Sequence, residues 1–342
     1  MLRTNSSCRA ALLLGALLLL PNFAAASPSY QLTRMELESV MKDLKAWLPG
    51  EWNSFPQIEL ERTVKMPEEG EHEHWHRTFA LIKAPQVGEV VFYGQINIGG
   101  REGALVPGSQ VLYRAWIDEA RSAVVINGQG PAEPEKYVDL HKHPELWGQV
   151  KMRNPDGVRC DFLWRRDGGQ LAGVLDGKAA ESRKYGPGTC SYISDRTGKE
   201  FFADAEWVLT PEVLWLYDIN TMGGRIFIGR EDHTHVRLYR SRDYTCNVRD
   251  AAGSRKLAAY DRGFFADVTA RDGSKLQVRL LRADYPAADQ YGLDDRLRLS
   301  IRVPDDNNGV ATATADAPPL ARRIRTEDRA RGIGVSCELN SR

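Results

Sequence analysis

The spacing of hydrophobic positions changes twice along the chain, and the changes divide it. An unbroken apolar run, Ala10 to Leu20, follows Arg3 and Arg9 and leads through Pro21 to Ala24-Ala25-Ala26. The run is too short to span a bilayer and ends at a small-residue cleavage pattern, so residues 1–26 are expected to be a secretory signal peptide. Beyond it, Leu37, Val40, Met41, Leu44 and Trp47 recur at spacings of three and four. Thr33-Arg34-Met35-Glu36 forms a capping box ahead of them and Pro49-Gly50 a stop, which predicts one helix packed over an end of a larger body.

From about residue 71 to 240 the period falls to two. Strand-like runs are Val90 to Ile98, Val111 to Asp118, Ser122 to Ile126, Val158 to Arg165, Gln170 to Leu175, Phe201 to Leu209, Val213 to Asp218 and Val236 to Arg240. Asp167-Gly168-Gly169, Thr197-Gly198 and Met222-Gly223-Gly224 are hairpin-type connections. Many short strands without alternating helices indicate an antiparallel barrel or sandwich. A smaller unit starts near Cys246, with strand-like runs Phe264 to Ala270, Leu276 to Leu281 and Leu297 to Val303 and a turn at Asp272-Gly273; Asp305 to Pro319 is expected to be a polar loop. The expected division is a signal peptide at 1–26, a barrel domain at 27–245 and a small β-rich extension at 246–342.

Charge narrows the function classes. The 46 basic and 46 acidic side chains become 44 against 46 once Arg3 and Arg9 leave with the leader. No polybasic footprint remains for nucleic acid or an anionic membrane, and no membrane span remains after cleavage. Four cysteines stay behind, Cys160, Cys190, Cys246 and Cys337. In an exported chain they favour disulfides, and of the three pairings allowed, Cys160 with Cys190 and Cys246 with Cys337 would each close one contiguous module.

The stretch His72-Glu73-His74-Trp75-His76 matches H-E-x-x-H, a zinc-peptidase pattern, when placed on a helix. As a strand it puts the three histidines on one face and Trp75, Phe79 and Leu81 on the other. Phe79 stands where the extended zinc motif needs glycine, no third ligand follows on a recognisable helix, and Pro67, Gly70 and Pro85 bound a run of strand length, so the strand is expected. All seven histidines nevertheless lie in H-x-H units, with His141 and His143 and with His233 and His235 as the others. A metal-binding envelope protein is therefore an alternative, although no metal ligand set is assigned. G-x-S-x-G, G-x-x-x-x-G-K-[ST] and G-x-G-x-x-G are missing, which removes the usual anchors of hydrolase and nucleotide readings. Tyr93, Tyr113, Arg114, Trp116, Trp164, Arg165, Trp207 and Trp215 remain as aromatic and arginine positions on barrel-like strands. They suit a cavity for a planar, anionic ligand.

The order of motifs resembles that of the CpcT/CpeT chromophore lyases, the T-type bilin lyases. A helix leads to Leu48-Pro49-Gly50-Glu51-Trp52-Asn53-Ser54-Phe55-Pro56-Gln57, then come His74-Trp75-His76-Arg77, Tyr93-Gly94-Gln95 and Tyr113-Arg114-Ala115-Trp116-Ile117. Cys160-Asp161-Phe162-Leu163-Trp164-Arg165-Arg166 follows, with Gly173 and Cys190, then Leu209-Thr210, Tyr217-Asp218, Gly224 to Gly229 and Leu238-Tyr239-Arg240. The resemblance spans about residues 32 to 242. It implies a mainly β, calycin-like or lipocalin-like antiparallel β-barrel that holds a bilin and attaches it to a cysteine of a phycobiliprotein as a thioether, with no further cofactor. It further implies catalytic roles for Arg114 and Asp218, the first on a propionate, the second at pyrrole nitrogens or as proton donor. Ligand contacts are expected from Gln57, His76, Gln95, Tyr113, Arg114, Cys160 and Asp161, with His76 the histidine nearest the pocket. Trp116 and Ile219-Asn220 depart from the family pattern, and export separates the chain from intracellular phycobiliprotein assembly. The alternative is an exported, non-enzymatic barrel that carries a tetrapyrrole or another amphipathic ligand. A homodimer is a further expectation.

Overall fold

The computed structural model describes residues 31–341 except 154–159, 177–189, 194–197, 231, 233, 288–291 and 305–309. The expected leader and His233 lie outside the described residues. The first element is helix α1 (Arg34–Trp47), opened by the capping box at Thr33 and Glu36, with Leu37, Val40, Met41 and Leu44 buried along one stripe. Short strand β1 (Gly50–Asn53) leads to helix α2 (Phe55–Thr63), which the residue pattern did not announce.

The barrel strands follow: β2 (Trp75–Ile82), β3 (Val90–Ile98), β4 (Ala104–Leu105), β5 (Val111–Asp118), β6 (Ala123–Gln129), β7 (Asp161–Asp167), β8 (Gln170–Leu175), β9 (Cys190–Ile193), β10 (Glu200–Leu209), β11 (Val213–Met222), β12 (Arg225–Ile228) and β13 (Val236–Arg240). Neighbour pairing runs β11-β13-β1-β2-β3-β5-β6-β7-β8-β10, and β10 pairs with β11 to close the ring. The result is a closed antiparallel barrel of 10 strands. β4, β9 and β12 extend β3, β10 and β11 outside the ring.

Alternation decides what fills it. Phe79, Phe92, Ala115, Ile126, Trp164, Leu171, Trp207, Leu216 and Leu238 share one buried cluster with Val40, Met41 and Leu44 of α1 and with Leu48 just after it. The helix contacts β5, β6 and β7. Burying side chains of this size contributes roughly 1.5–3 kcal/mol each, which fixes the strand register. Gly173 faces Trp164 across β7 and β8, and a Cβ there would stand 2.4 Å from the indole, so only glycine fits. A second buried layer lies outside the barrel, where Tyr137, Leu140, Val150 and Met152 cover Val91, Tyr93 and Leu112.

The C-terminal part is a sandwich. Strands β14 (Asp243–Asp250), β15 (Gly253–Tyr260), β20 (Arg323–Asp328) and β21 (Ile333–Leu339) form one sheet. β16 (Arg262–Thr269), β17 (Lys275–Pro286), β18 (Leu293–Arg302) and β19 (Ala311–Ala317) form the other. Both sheets contribute to one core, from Tyr244 and Val248 to Leu280 and Leu299. The expected loop from Asp305 to Pro319 is corrected at β19: Ala313, Ala315 and Ala317 alternate with polar residues and pack on that core. Both expected disulfides are present, Cys160–Cys190 and Cys246–Cys337, the latter directly across β14 and β21. α2 packs on β16 and β17. There the Phe55 ring lies edge-on to Phe265 at 5.1 Å, and Gly263, at φ +112°, leaves the space that ring occupies. Among the described residues no helix is long and apolar enough to cross a membrane.

Candidate ligand site inside the barrel

Polar side chains interrupt the apolar interior where β2, β5 and β11 face it. On β2 the inward set is Trp75, Arg77 and Phe79; on β5 it is Tyr113, Ala115 and Ile117; on β11 it is Leu214, Leu216, Asp218 and Asn220. Arg77, Tyr113 and Asp218 therefore point into the same space, and each contributes to the others' electrostatics. The Arg77 guanidinium lies 5.1 Å from the Trp75 ring and 5.6 Å from the Trp207 ring. Trp207 also meets Phe79 and Tyr113, each at 6.0 Å. Contacts from β2 to β10 across the ring show that these side chains meet in the interior.

The charges here are poorly compensated. Arg77 is 5% exposed, its Nε has no hydrogen-bond partner, and it makes no ion pair among the described residues. Asp218 receives one hydrogen bond, from Asn220 Nδ2 at 2.9 Å, and no ion pair among the described residues. Burial lowers the Arg77 pKa, opposed by Tyr113 and Asp218. Burial also raises the Asp218 carboxyl above its ordinary value, with Arg77 and Asn220 opposing the rise without cancelling it. The Tyr113 phenol is pushed up to about 12, again by burial. Tyr113 and Asp218 lie deep in the barrel, and each keeps part of its surface accessible.

Small residues flank the cluster. Ala203 and Ala205 on β10 are registered opposite Asn220 and Asp218, and Gly94 and Gly128 leave room for the Tyr113 ring. Cys190 is registered opposite Ala203, so the Cys160–Cys190 bond sits at this end of the interior with Leu175 and Phe162. The sulfur atoms are joined to each other, and Cys160 offers no thiol to a ligand.

Several expected site residues lie elsewhere. Arg114 is corrected to the outer face of β5, beside Trp116 at 5.4 Å and under Gly88, because alternation separates it from inward Tyr113. Gln95 is likewise on the outer face of β3, bonded to the Tyr93 hydroxyl (2.7 Å) and Asp139 (2.6 Å). Asp161 faces outward and binds Arg121 and Asn127, each at 2.8 Å. Gln57, on α2, accepts from the Arg237 N–H at 2.7 Å.

His76 is also turned away from the interior. It bonds Glu51 and lies 6.3 Å from the Tyr260 ring. Burial works to raise the Glu51 pKa, but the hydrogen bond and charge of His76, with help from Arg101 and Thr78, bring it below the usual carboxylate range. The same face holds His74, bonded to Asn53 at 2.9 Å and lowered by burial to about 4, and His72, bonded to Glu61 at 2.6 Å. β2 thus starts within the His72 to His76 stretch, and its histidines tie β2 to β1 and α2. His141 lies over Tyr93, and His235 beside Trp215 and Tyr217, so the H-x-H units are dispersed.

Sequence reasoning named Trp207 among the cavity aromatics but did not single out Arg77 or Trp75 as site residues. The signal was present, since a charged residue on the aromatic face of an alternating strand is where a buried functional group stands.

No family model matches this chain, and no curated protein does. Among solved structures, the selenomethionine form of the CRL protein of Arabidopsis is similar over 59% of this chain and 97% of its own, at 11% sequence identity and a TM-score of 0.40. The barrel assignment rests on this chain's own strand pairing.

Proposed function

We propose that the barrel binds a planar, anionic, amphipathic molecule, with an open-chain tetrapyrrole as the first candidate. A ligand carboxylate would sit on Arg77, and its rings against Trp75, Trp207 and Tyr113. The observation that carries this reading is Arg77 itself, a buried guanidinium between two indoles with no carboxylate partner among the described residues. A buried cation that no carboxylate contacts is costly, and a bound anion would offset that cost. The leader-like N-terminus and the two disulfides support a secreted or periplasmic location.

Asp218 supports a second reading, bilin lyase chemistry of the CpcT/CpeT type. An acceptor cysteine would add across the bilin ethylidene double bond, sulfur bonding to the ethylidene carbon and a proton reaching the adjacent ring carbon. A carboxyl whose pKa burial raises is suited to deliver that proton, and the proton of the acceptor thiol restores it. The thiol would come from the acceptor, since Cys160 and Cys190 are joined.

Titration of the mature protein with biliverdin tests the binding reading. A saturable, red-shifted and sharpened absorption band is expected, with affinity reduced roughly tenfold or more in Arg77→Met, the scale of one charge-assisted contact. Loss of all spectral response would overturn it. Adding a phycobiliprotein subunit then separates the readings: covalent colour on the acceptor supports the lyase, and binding without transfer leaves the carrier.

A further inference from the structure

Charge inside the barrel limits how an anion can enter it. Arg77, Tyr113 and Asp218 act on one another: Arg77 feels Tyr113 and Asp218, Tyr113 feels Arg77 and Asp218, and Asp218 feels Arg77. The strands paired with β11 bring no further charge to this space among the described residues. β10 sets Ala203 and Ala205 opposite Asn220 and Asp218, while its Asp204 and Glu206 act on outward Tyr217. β13 gives Val236 and Leu238 to the buried cluster, and its Arg237 lies outside over Trp215. Arg225 of β12 is exposed. The interior therefore holds one guanidinium and one carboxyl.

Unpaired donors collect in the same interior. Arg77 Nε and the indole N–H groups of Trp164 and Trp207 are buried without an acceptor among the described residues, and both indoles belong to the cluster that fills the barrel. Each such donor left unpaired costs about 1–3 kcal/mol, and the oxygens of a carboxylate can serve several. The same carboxylate brings a second negative charge. Arg77 and an ionised Asp218 already sum to zero, so an anion seated on Arg77 leaves one buried negative charge without a cation. That arrangement is costly, and a group so placed binds a proton instead. Asp218 is the group free to do so, since the Tyr113 phenol, pushed up to about 12, keeps its proton throughout.

Resting on the binding reading above, we propose that the buried end of the ligand is a free carboxylate held by Arg77, and that Asp218 takes up one proton as the ligand binds. Burial already holds the Asp218 carboxyl above its ordinary value, and the ligand's charge raises it further. Below its value in the empty barrel, Asp218 is protonated beforehand and binding takes up nothing. Between that value and the higher one beside the ligand, each binding event draws a proton from solvent. Affinity then falls with rising pH by up to tenfold per unit, as uptake of one proton requires. The barrel thus loads its ligand more tightly in acid and releases it as pH rises.

Titration of the mature protein with biliverdin from about pH 5.5 to 9 tests this, joined to calorimetry in buffers of different ionisation heat, which counts the protons exchanged. Wild type should show affinity that declines with pH and uptake approaching one proton on the declining limb. Asp218→Asn should bind without that uptake and without that decline, and the comparison cancels groups that titrate on biliverdin or elsewhere on the protein. Biliverdin dimethyl ester, which lacks the carboxylates, should bind wild type about tenfold or more weakly than the acid. Should Asp218→Asn fail to fold, the proton count and the ester decide without it. Saturable binding with no proton uptake, or with equal uptake in Asp218→Asn, overturns the proposal and leaves the binding reading standing. Equal affinity for the ester removes the buried carboxylate from both, and no saturable binding of biliverdin overturns the reading together with the proposal.

Discussion

Replacing Asp218 with asparagine separates the fold's interest from the site's. The substitution keeps shape and the Asn220 contact, and removes a carboxyl that burial holds above its ordinary pKa. Below the unfolded carboxyl pKa of about 3.9 both states of the wild type are protonated, and little electrostatic difference from the variant is expected. Above it the unfolded chain releases its proton while the folded chain retains one. Wild-type stability then falls relative to Asp218→Asn, by at most about 1.4 kcal/mol per pH unit. The fall ends where pH passes the folded pKa, and the plateau reads that pKa directly. Urea unfolding of both proteins at intervals from about pH 3.5 to 8 supplies the curve, analysed as a difference so that other titrations cancel. The variant should be the more stable ligand-free protein at neutral pH and the poorer partner for any reaction that needs a proton at this position. A pH-independent difference would refute the reasoning. So would a wild type that gains on the variant as pH rises, because the ionised carboxylate would then have a stabilising cation in the folded state.

Three further outcomes follow from the packing. The two disulfides close sequence separations of 91 and 30 residues, corresponding in the chain-entropy model to about 4.6 and 3.7 kcal/mol. Alanine replacement of Cys246 and Cys337 should therefore cost about 1 kcal/mol more than replacement of Cys160 and Cys190, read from urea unfolding, and the reverse order would count against that model here. Gly173→Ala drives a methyl into Trp164, a ring 1% exposed and held against Trp207. About 1–3 kcal/mol of destabilisation with altered tryptophan emission is expected, and a neutral result would mean that the ring has room to yield. Thr33→Ala removes the α1 cap and should cost about 1 kcal/mol, seen as faster hydrogen exchange in the first turn of α1; unchanged exchange would dismiss the cap's contribution.

Where local chemistry and burial agree, the chain is legible. The capping box at Thr33 and Glu36 begins α1, and the runs at 90–98, 111–118, 170–175 and 236–240 are strands with those limits. α2 escaped because Pro56 and a weak apolar stripe mask a helix whose buried side is set by β13 and β17. β14 hides its alternation of Tyr244, Cys246 and Val248 among Thr245, Asn247 and Arg249. The interior was legible as a set of aromatics but not as a site, because motif order names adjacent residues together and a strand sends them to opposite faces. Tyr113 and Arg114 cannot both look inward, and the same rule exchanges His76 for Arg77. The outer layer that buries Gln95 comes from residues 137–152, far along the chain, and no local pattern points to it.

The seam of the barrel has a consequence for how the chain acquires its shape. Four-residue β1 lies between β2 and β13, with Trp52 registered to Arg240. Ring closure therefore joins the first strand made to the last barrel strand, and β1 keeps an open edge until β13 arrives. Such long-range pairing makes for slow closure, with unpaired edges exposed in the meantime. For a chain that emerges N-terminus first, the helix and early hairpins form ahead of the seam, and the sandwich that packs on α2 is completed only after residue 240 has passed.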